Sequence, residues 1–197
     1  MSDCKLPLKS SGARKTVEYP LCLLQPTAGS TFAGLGLSQS WNDLALWEAF
    51  FDAHPCGSVL ELGTWRGGMS VFFAVQGLAR GMRVVSVDRD LGQAEGRQTG
   101  EKLGCEYLSI DLHSEAGRLK VDALVSRLPK PLMLFCDDGH KPGEWQAFVP
   151  LLSSGDFAAV HDWGREIHES DLVPPHPMVW GEVCDAVSSW TRFFRVP

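Results

Sequence analysis

Residues 58–73 read SVLELGTWRGGMSVFF, and this stretch decides the fold. Val59, Leu60 and Leu62 form a short apolar run carrying one acid, Glu61. The run breaks at Gly63, Thr64, Trp65, Arg66, Gly67 and Gly68 before apolar residues resume at helical spacing. That pattern is a buried strand, a glycine turn and a helix start. Glycine suits a turn that needs positive φ or close backbone approach to a ligand, and the helix start presents unbonded N–H groups. The spacing Gly-x-x-x-Gly-Gly is not the G-x-G-x-x-G of dinucleotide-binding turns. A carboxylate two residues before the first glycine suits a cationic or amino-bearing ligand better than a pyrophosphate.

Downstream the same unit repeats. After a helix over 68–79 the pattern predicts strands at 83–87, 106–110, 132–136 and 157–161, ending in Asp88, Asp111, Asp137 with Asp138, and Asp162. A polar, glycine-rich helix reaching about 103 and helices over 114–128 and 143–152 separate them. Strands alternating with helices imply parallel βαβ units, hence an α/β fold with a doubly wound, Rossmann-like, mostly parallel sheet. Residues 163–178, with Pro174, Pro175 and Pro177, read as a long loop over the carboxyl edge. A helix over 179–190 and a strand over 192–196 close the chain.

Upstream, Ser40 caps a predicted helix reaching Ala53. Residues 1–37 read as an irregular N-terminal arm, either a lid over a site or a frayed tail, and 38–197 as a single domain. A chain of 197 residues buries a core without disulfides or structural metal. Its six scattered cysteines include no C-x-x-C pair and point to reduced thiols in a cytoplasmic protein. A net charge of −6 argues against a nucleic-acid partner, and no apolar run suits a membrane span.

Ligands of open α/β sheets bind beyond the carboxyl ends of the strands, and here five successive strands end in an acid. Asp88 lies at the interval where a carboxylate meets ribose hydroxyls. Asp111, followed by Leu112, lies one strand further out, within reach of an adenine amino group. Glu61-Leu62-Gly63-Thr64 with Gly67-Gly68, then Asp88 and Asp111, resembles the cofactor half of a class I S-adenosylmethionine (SAM)-dependent methyltransferase. More narrowly, GLGLSQSWNDLALWEAFFDAHPCGSVLELGTWRGGMSVFFA from residue 34 and LMLFCDDGHKPGEWQAFVPLLSSGDFAAVHDW from residue 132 resemble the cephalosporin hydroxylase and rhamnosyl O-methyltransferase group and related natural-product sugar O-methyltransferases. The resemblance covers residues 34–163. It implies SAM as cofactor, with Glu61 and Gly63 beside the methionine part, Thr64 and Gly67 lining the turn, Asp88 on the ribose, and Asp111 and Leu112 near the adenine.

The same group holds a divalent metal through the acid after the fourth strand and a Glu-Asp pair after the fifth. This chain offers Asp137 and, in place of that pair, His161-Asp162. Such a set suits Mg²⁺, and its histidine admits Mn²⁺ or Fe²⁺. Methyl transfer to oxygen needs the hydroxyl proton removed. His140 stands three residues after Asp137, where catechol-type enzymes carry a lysine base, and reads either as a base or substrate contact or as a hydrogen-bonded histidine at a helix start. Asp138 is an alternative base, and Lys141 reads as a solvated charge. Trp65, Trp145, Trp163 and Trp180 are candidates for an acceptor-pocket wall.

Together these expectations describe an O-methyltransferase of a small-molecule or sugar hydroxyl. The rivals are a catalytically silent partner subunit on the same fold and, with less support, a nicotinamide-dependent oxidoreductase. The single strand after the loop leaves the last sheet edge short, or else covered by another chain, as in a homo-oligomer.

Overall fold

The computed structural model describes residues 30–197 together with the backbone of two strands, β1 (Lys5–Leu8) and β2 (Lys15–Glu18). Nine further strands follow: β3 (Thr31–Phe32), β4 (Leu35–Gly36), β5 (Ser58–Leu62), β6 (Arg83–Asp88), β7 (Cys105–Ser109), β8 (Leu132–Cys136), β9 (Phe157–Val160), β10 (Met178–Val179) and β11 (Arg192–Arg195). The helices are α1 (Trp41–Ala53), α2 (Gly68–Arg80), α3 (Arg97–Lys102), α4 (Glu115–Arg127), α5 (Lys141–Phe148) and α6 (Gly181–Ala186). None of the described helices is long and apolar enough to cross a membrane.

The main sheet has seven strands in the order β10-β11-β9-β8-β5-β6-β7. Strands β5 to β9 are mutually parallel, and β11 runs antiparallel to both neighbours. Strand β5 is buried throughout and pairs with β6 on one side and β8 on the other. The strand order therefore reverses beside β5, the place where open α/β sheets form their ligand crevice. Helices α1, α2 and α6 cover one face, where Trp47 is enclosed by Phe50, Phe51, Phe73, Phe135 and Phe193. Helices α4 and α5 cover the other face through Val121, Leu124, Trp145 and Phe148. Ser40 caps α1 in a reciprocal capping box with Asp43.

Four expectations change. The arm, read as irregular, carries two antiparallel ladders, β1 with β2 and β3 with β4; Pro7 is tolerated because a two-stranded ladder consists only of edges. The remainder of the arm, residues 1–4, 9–14 and 19–29, lies outside the described residues. The polar helix before β7 is instead a 3₁₀ turn at Leu91–Gln93, capped by Asp90 accepting from Gly92 N–H, and the short α3, because the backbone leaves helical geometry at Ala94 (ψ 78°) between them. The predicted helix over 179–190 shrinks to α6, since Val179 pairs with Phe193 and Trp180 takes the left-handed conformation at φ +60°. The last edge accordingly carries two strands rather than one, the outer being two residues long.

Candidate active site

A cavity of about 550 Å³ opens at the point where the strand order reverses. Its lining includes Glu61 near the end of β5, Gly63, Thr64 and Trp65 after it, Asp88 at the end of β6, Asp111 and Leu112 after β7, Asp137 and Asp138 after β8, and Asp162 after β9. Acids spread over about 100 residues of sequence thus meet in one space, because five parallel strands all end on the same side.

The glycine turn is built mainly by its own backbone. Asp88 Oδ2 accepts from Thr64 N–H at 2.9 Å and Trp65 N–H at 3.1 Å, while Oδ1 accepts from Asp90 N–H at 2.9 Å. Gly63 has φ +94°, and a Cβ there would lie 2.6 Å from the Asp137 carbonyl oxygen. Its bareness lets the ends of β5 and β8 close on each other. At Gly68 a Cβ would lie 2.4 Å from the Gly36 carbonyl oxygen, so the β3–β4 ladder rests on the start of α2. Gly67 adopts the left-handed conformation before α2 and is not among the lining residues. The Thr64 side chain turns inward to Ser86 Oγ at 2.7 Å, leaving its backbone to the cavity.

Glu61 is 1% exposed. Its Oε2 accepts from Ser70 Oγ and from Ser86 Oγ, whereas its buried Oε1 has no hydrogen-bond partner. Burial pushes this carboxyl up to about 8, against the pull of the two serine hydroxyls. A cation placed beside Oε1 would satisfy the oxygen and restore the ionised form.

The opposite end of the cavity carries its own cations. His161, on the turn after β9, is 1% exposed and is not itself among the lining residues, and its Nδ1 lies 3.3 Å from both Asp137 Oδ1 and Asp162 Oδ2, which are. Neither approach is aligned as a hydrogen bond. Burial works against an imidazolium here, but Asp137 and Asp162 more than offset it and hold His161 at about 10. Asp162 occupies the left-handed region at φ +57°, an unfavourable conformation for a non-glycine residue. Burial opposes its ionisation, yet His161 and Lys141 keep it well below the usual carboxylate range. Gln39 Nε2 donates to Asp137 Oδ2.

Two expected roles move. His140 is not among the residues lining this cavity: it caps α5, its Nδ1 accepting from Gly143 N–H at 2.9 Å, and it borders a separate cleft with Arg118 and Phe148. Lys141, read as solvated, is buried among carboxylates, with Nζ 3.0 Å from Asp162 Oδ2 and 2.8 Å from Glu166 Oε2. Of the four tryptophans only Trp65 lines the cavity; Trp145, Trp163 and Trp180 pack with the two cores. Lys141 and Gln39 escaped the sequence reading. The one signal for Lys141 was its place next to His140, close to where a lysine was expected.

No family model matches the chain, and no curated protein matches it. Solved structures do. CmcI with SAH aligns at TM-score 0.63 and 15% identity, covering 99% of this chain and 100% of that one. CmcI with Mg and SAM aligns at TM-score 0.58 and 17% identity, over 82% of this chain and 73% of that one. The fold is that of the class I SAM-dependent methyltransferases. In this chain the glycine turn after β5, Asp88 at the end of β6 and Asp111 after β7 line one end of the cavity, and Asp137 and Asp162 the other, with His161 behind them and outside the lining. Among the described residues these three form a group able to hold a metal ion, with one candidate ligand atom from each and all within 4.8 Å of one another.

Proposed function

We propose that the protein is a SAM-dependent O-methyltransferase acting on a hydroxyl of a small molecule or sugar, with a divalent ion held by Asp137, His161 and Asp162. The observation that carries this reading is that one cavity is lined both by Glu61, whose Oε1 has no partner among the described residues, and by the Asp137–Asp162 pair. When bound, SAM supplies a methyl group on a sulfonium, and the divalent ion supplies a Lewis acid that lowers a hydroxyl's pKa.

The residues fit both groups. Glu61 Oε1 is the anionic partner for the ammonium or sulfonium. Asp88, locked by three backbone N–H groups, retains accepting capacity for ribose hydroxyls. Asp111 and Leu112 border the adenine end, and Gly63 and Thr64 offer backbone along the methionine part. The 3.3 Å separations of His161 Nδ1 from the two carboxylate oxygens suit a small ion, since neighbouring ligands about 2.1 Å from a metal lie about 3 Å apart. Asp137 and Asp162 hold the acceptor end. Asp138 lines the same space and takes the hydroxyl proton, the role expected of His140. Exposed Trp65, at 46%, offers a ring face to the acceptor at the rim.

Calorimetric titration with SAM, with and without Mg²⁺, followed by a product-mass screen of hydroxylated sugars and phenols, tests this reading. The expected result is SAM binding abolished by Asp88→Ala and a mass gain of one methyl group on a hydroxyl compound. Absence of SAM binding sinks the reading.

A further inference from the structure

The Asp137–His161–Asp162 centre contains a fourth group that the proposed chemistry leaves unused. Lys141 stands on the first turn of α5 with its side chain only 6% exposed. Its Nζ lies 3.0 Å from Asp162 Oδ2, 3.7 Å from Asp137 Oδ1 and 2.8 Å from Glu166 Oε2. The first two are the oxygens that His161 Nδ1 also approaches, and that a metal ion would need. Glu166 is brought back to the site by a turn in which its N–H and that of Arg165 both donate to the Asp162 carbonyl.

A buried ammonium is costly unless carboxylates surround it, and this one has three. Burial opposes its charge, and Asp137, Glu166 and Asp162 more than reverse that effect. Two close cations sharing the same two oxygens repel, and at such range the repulsion is strong away from bulk water.

We propose that Lys141 is a resident cation of this centre, sharing Asp137 and Asp162 with His161 in the resting protein, so that a divalent ion binds there only by displacing the ammonium from their shared oxygens. The inference rests on the metal reading of the three ligands and adds that the ion is an exchangeable occupant whose affinity the lysine holds down. Displacement leaves the ammonium to Glu166, half-exposed at the mouth of the site.

The test titrates Mn²⁺ into wild type, Lys141→Met, Lys141→Arg and Asp162→Asn, reading free Mn²⁺ by electron paramagnetic resonance. SAM affinity is measured on the same preparations. Removing the like charge is expected to tighten Mn²⁺ binding by at least about tenfold in Lys141→Met, while Lys141→Arg stays close to wild type and Asp162→Asn loses binding. Equal or weaker binding by Lys141→Met overturns the proposal and leaves the metal reading intact. Absence of Mn²⁺ binding in both wild type and Lys141→Met overturns the metal reading and the proposal together, and the SAM titration then decides the cofactor reading separately. A measurement on wild type guards against a misfolded variant: the Lys141 side-chain ammonium resonance, assigned by its loss in Lys141→Arg, shifts on saturation with Mg²⁺. A resonance unmoved at saturation overturns the displacement.

Discussion

The two ends of the cavity handle buried negative charge in opposite ways. At the glycine turn Glu61 is surrounded by hydroxyls, keeps one oxygen unpartnered and is held at about 8 by burial. At the ends of β8 and β9, Asp137 and Asp162 are surrounded by an ammonium and an imidazole, and Asp162 stays ionised in spite of burial. Strands β5 and β8 are direct neighbours, so distance in the sheet does not explain the difference. The partners do. Among the described residues, one end faces its acid with hydroxyls alone, and the other supplies positive charge from the chain.

Breaking the second end should have the largest effect. Asp137→Ala removes the oxygens facing His161, Lys141 and Gln39. Turnover is expected to fall by about a hundredfold or more, without rescue by added metal, as when a preorganised charge is removed from a reacting site. Activity near wild type would show that this end is structural.

Gly63→Ala strikes the seam between the ends. A side chain at φ +94° that meets the Asp137 carbonyl at 2.6 Å is expected to cost about 3 kcal/mol in urea unfolding. A loss below about 1 kcal/mol would mean that the ends of β5 and β8 separate easily.

The glycine-turn end has a pH signature. Glu61 ionises near its ordinary 4.5 in the unfolded chain and near 8 in the folded one. Between those values the folded state binds more protons, so this group makes stability fall as pH rises through that window. Glu61→Gln should therefore be more stable than wild type at pH 8 by about 4 kcal/mol, each pKa unit being worth about 1.4 kcal/mol. The advantage should vanish below about pH 4.5, and the variant should bind SAM more weakly. Thermal melts across that range check the first part and calorimetry the second. An unchanged melting difference would mean that Glu61 is ionised without a ligand.

The smallest effect is expected at His140. His140→Ala removes the cap of α5 and should cost about 1 kcal/mol, with turnover close to wild type. A collapse of turnover at unchanged stability would return the base to His140 and remove it from Asp138.

What could be read from the sequence depended on how local the signal was. The Ser40 cap of α1 and the strand ends at Asp88, Asp137 and Asp162 are written in neighbouring residues, and each lies where expected. Strand β10 could not be read, since two residues ahead of a left-handed tryptophan carry no periodicity and form a strand only because β11 pairs with them. Lys141 was misjudged because lysine is normally exposed. Its burial comes from Asp162 and Glu166, more than twenty residues later and on a different element. His140 offered two readings, base or helix-start histidine, and the Gly143 N–H on its Nδ1 is the contact expected of the second.

The contact between Gln39 and Asp137 joins residues 98 positions apart, and those between Asp88 and Thr64 and between Glu61 and Ser86 span more than twenty each. Closing loops of that length costs chain entropy before any contact repays it. During synthesis, a chain that has emerged only as far as β7 already has its glycine turn and the Asp88 that fixes it, but nothing against which Gln39 can close. The glycine-turn end of the cavity can therefore exist before the Asp137–Asp162 end, and the wall that Gln39 lends to the cavity closes only once β8 has been made.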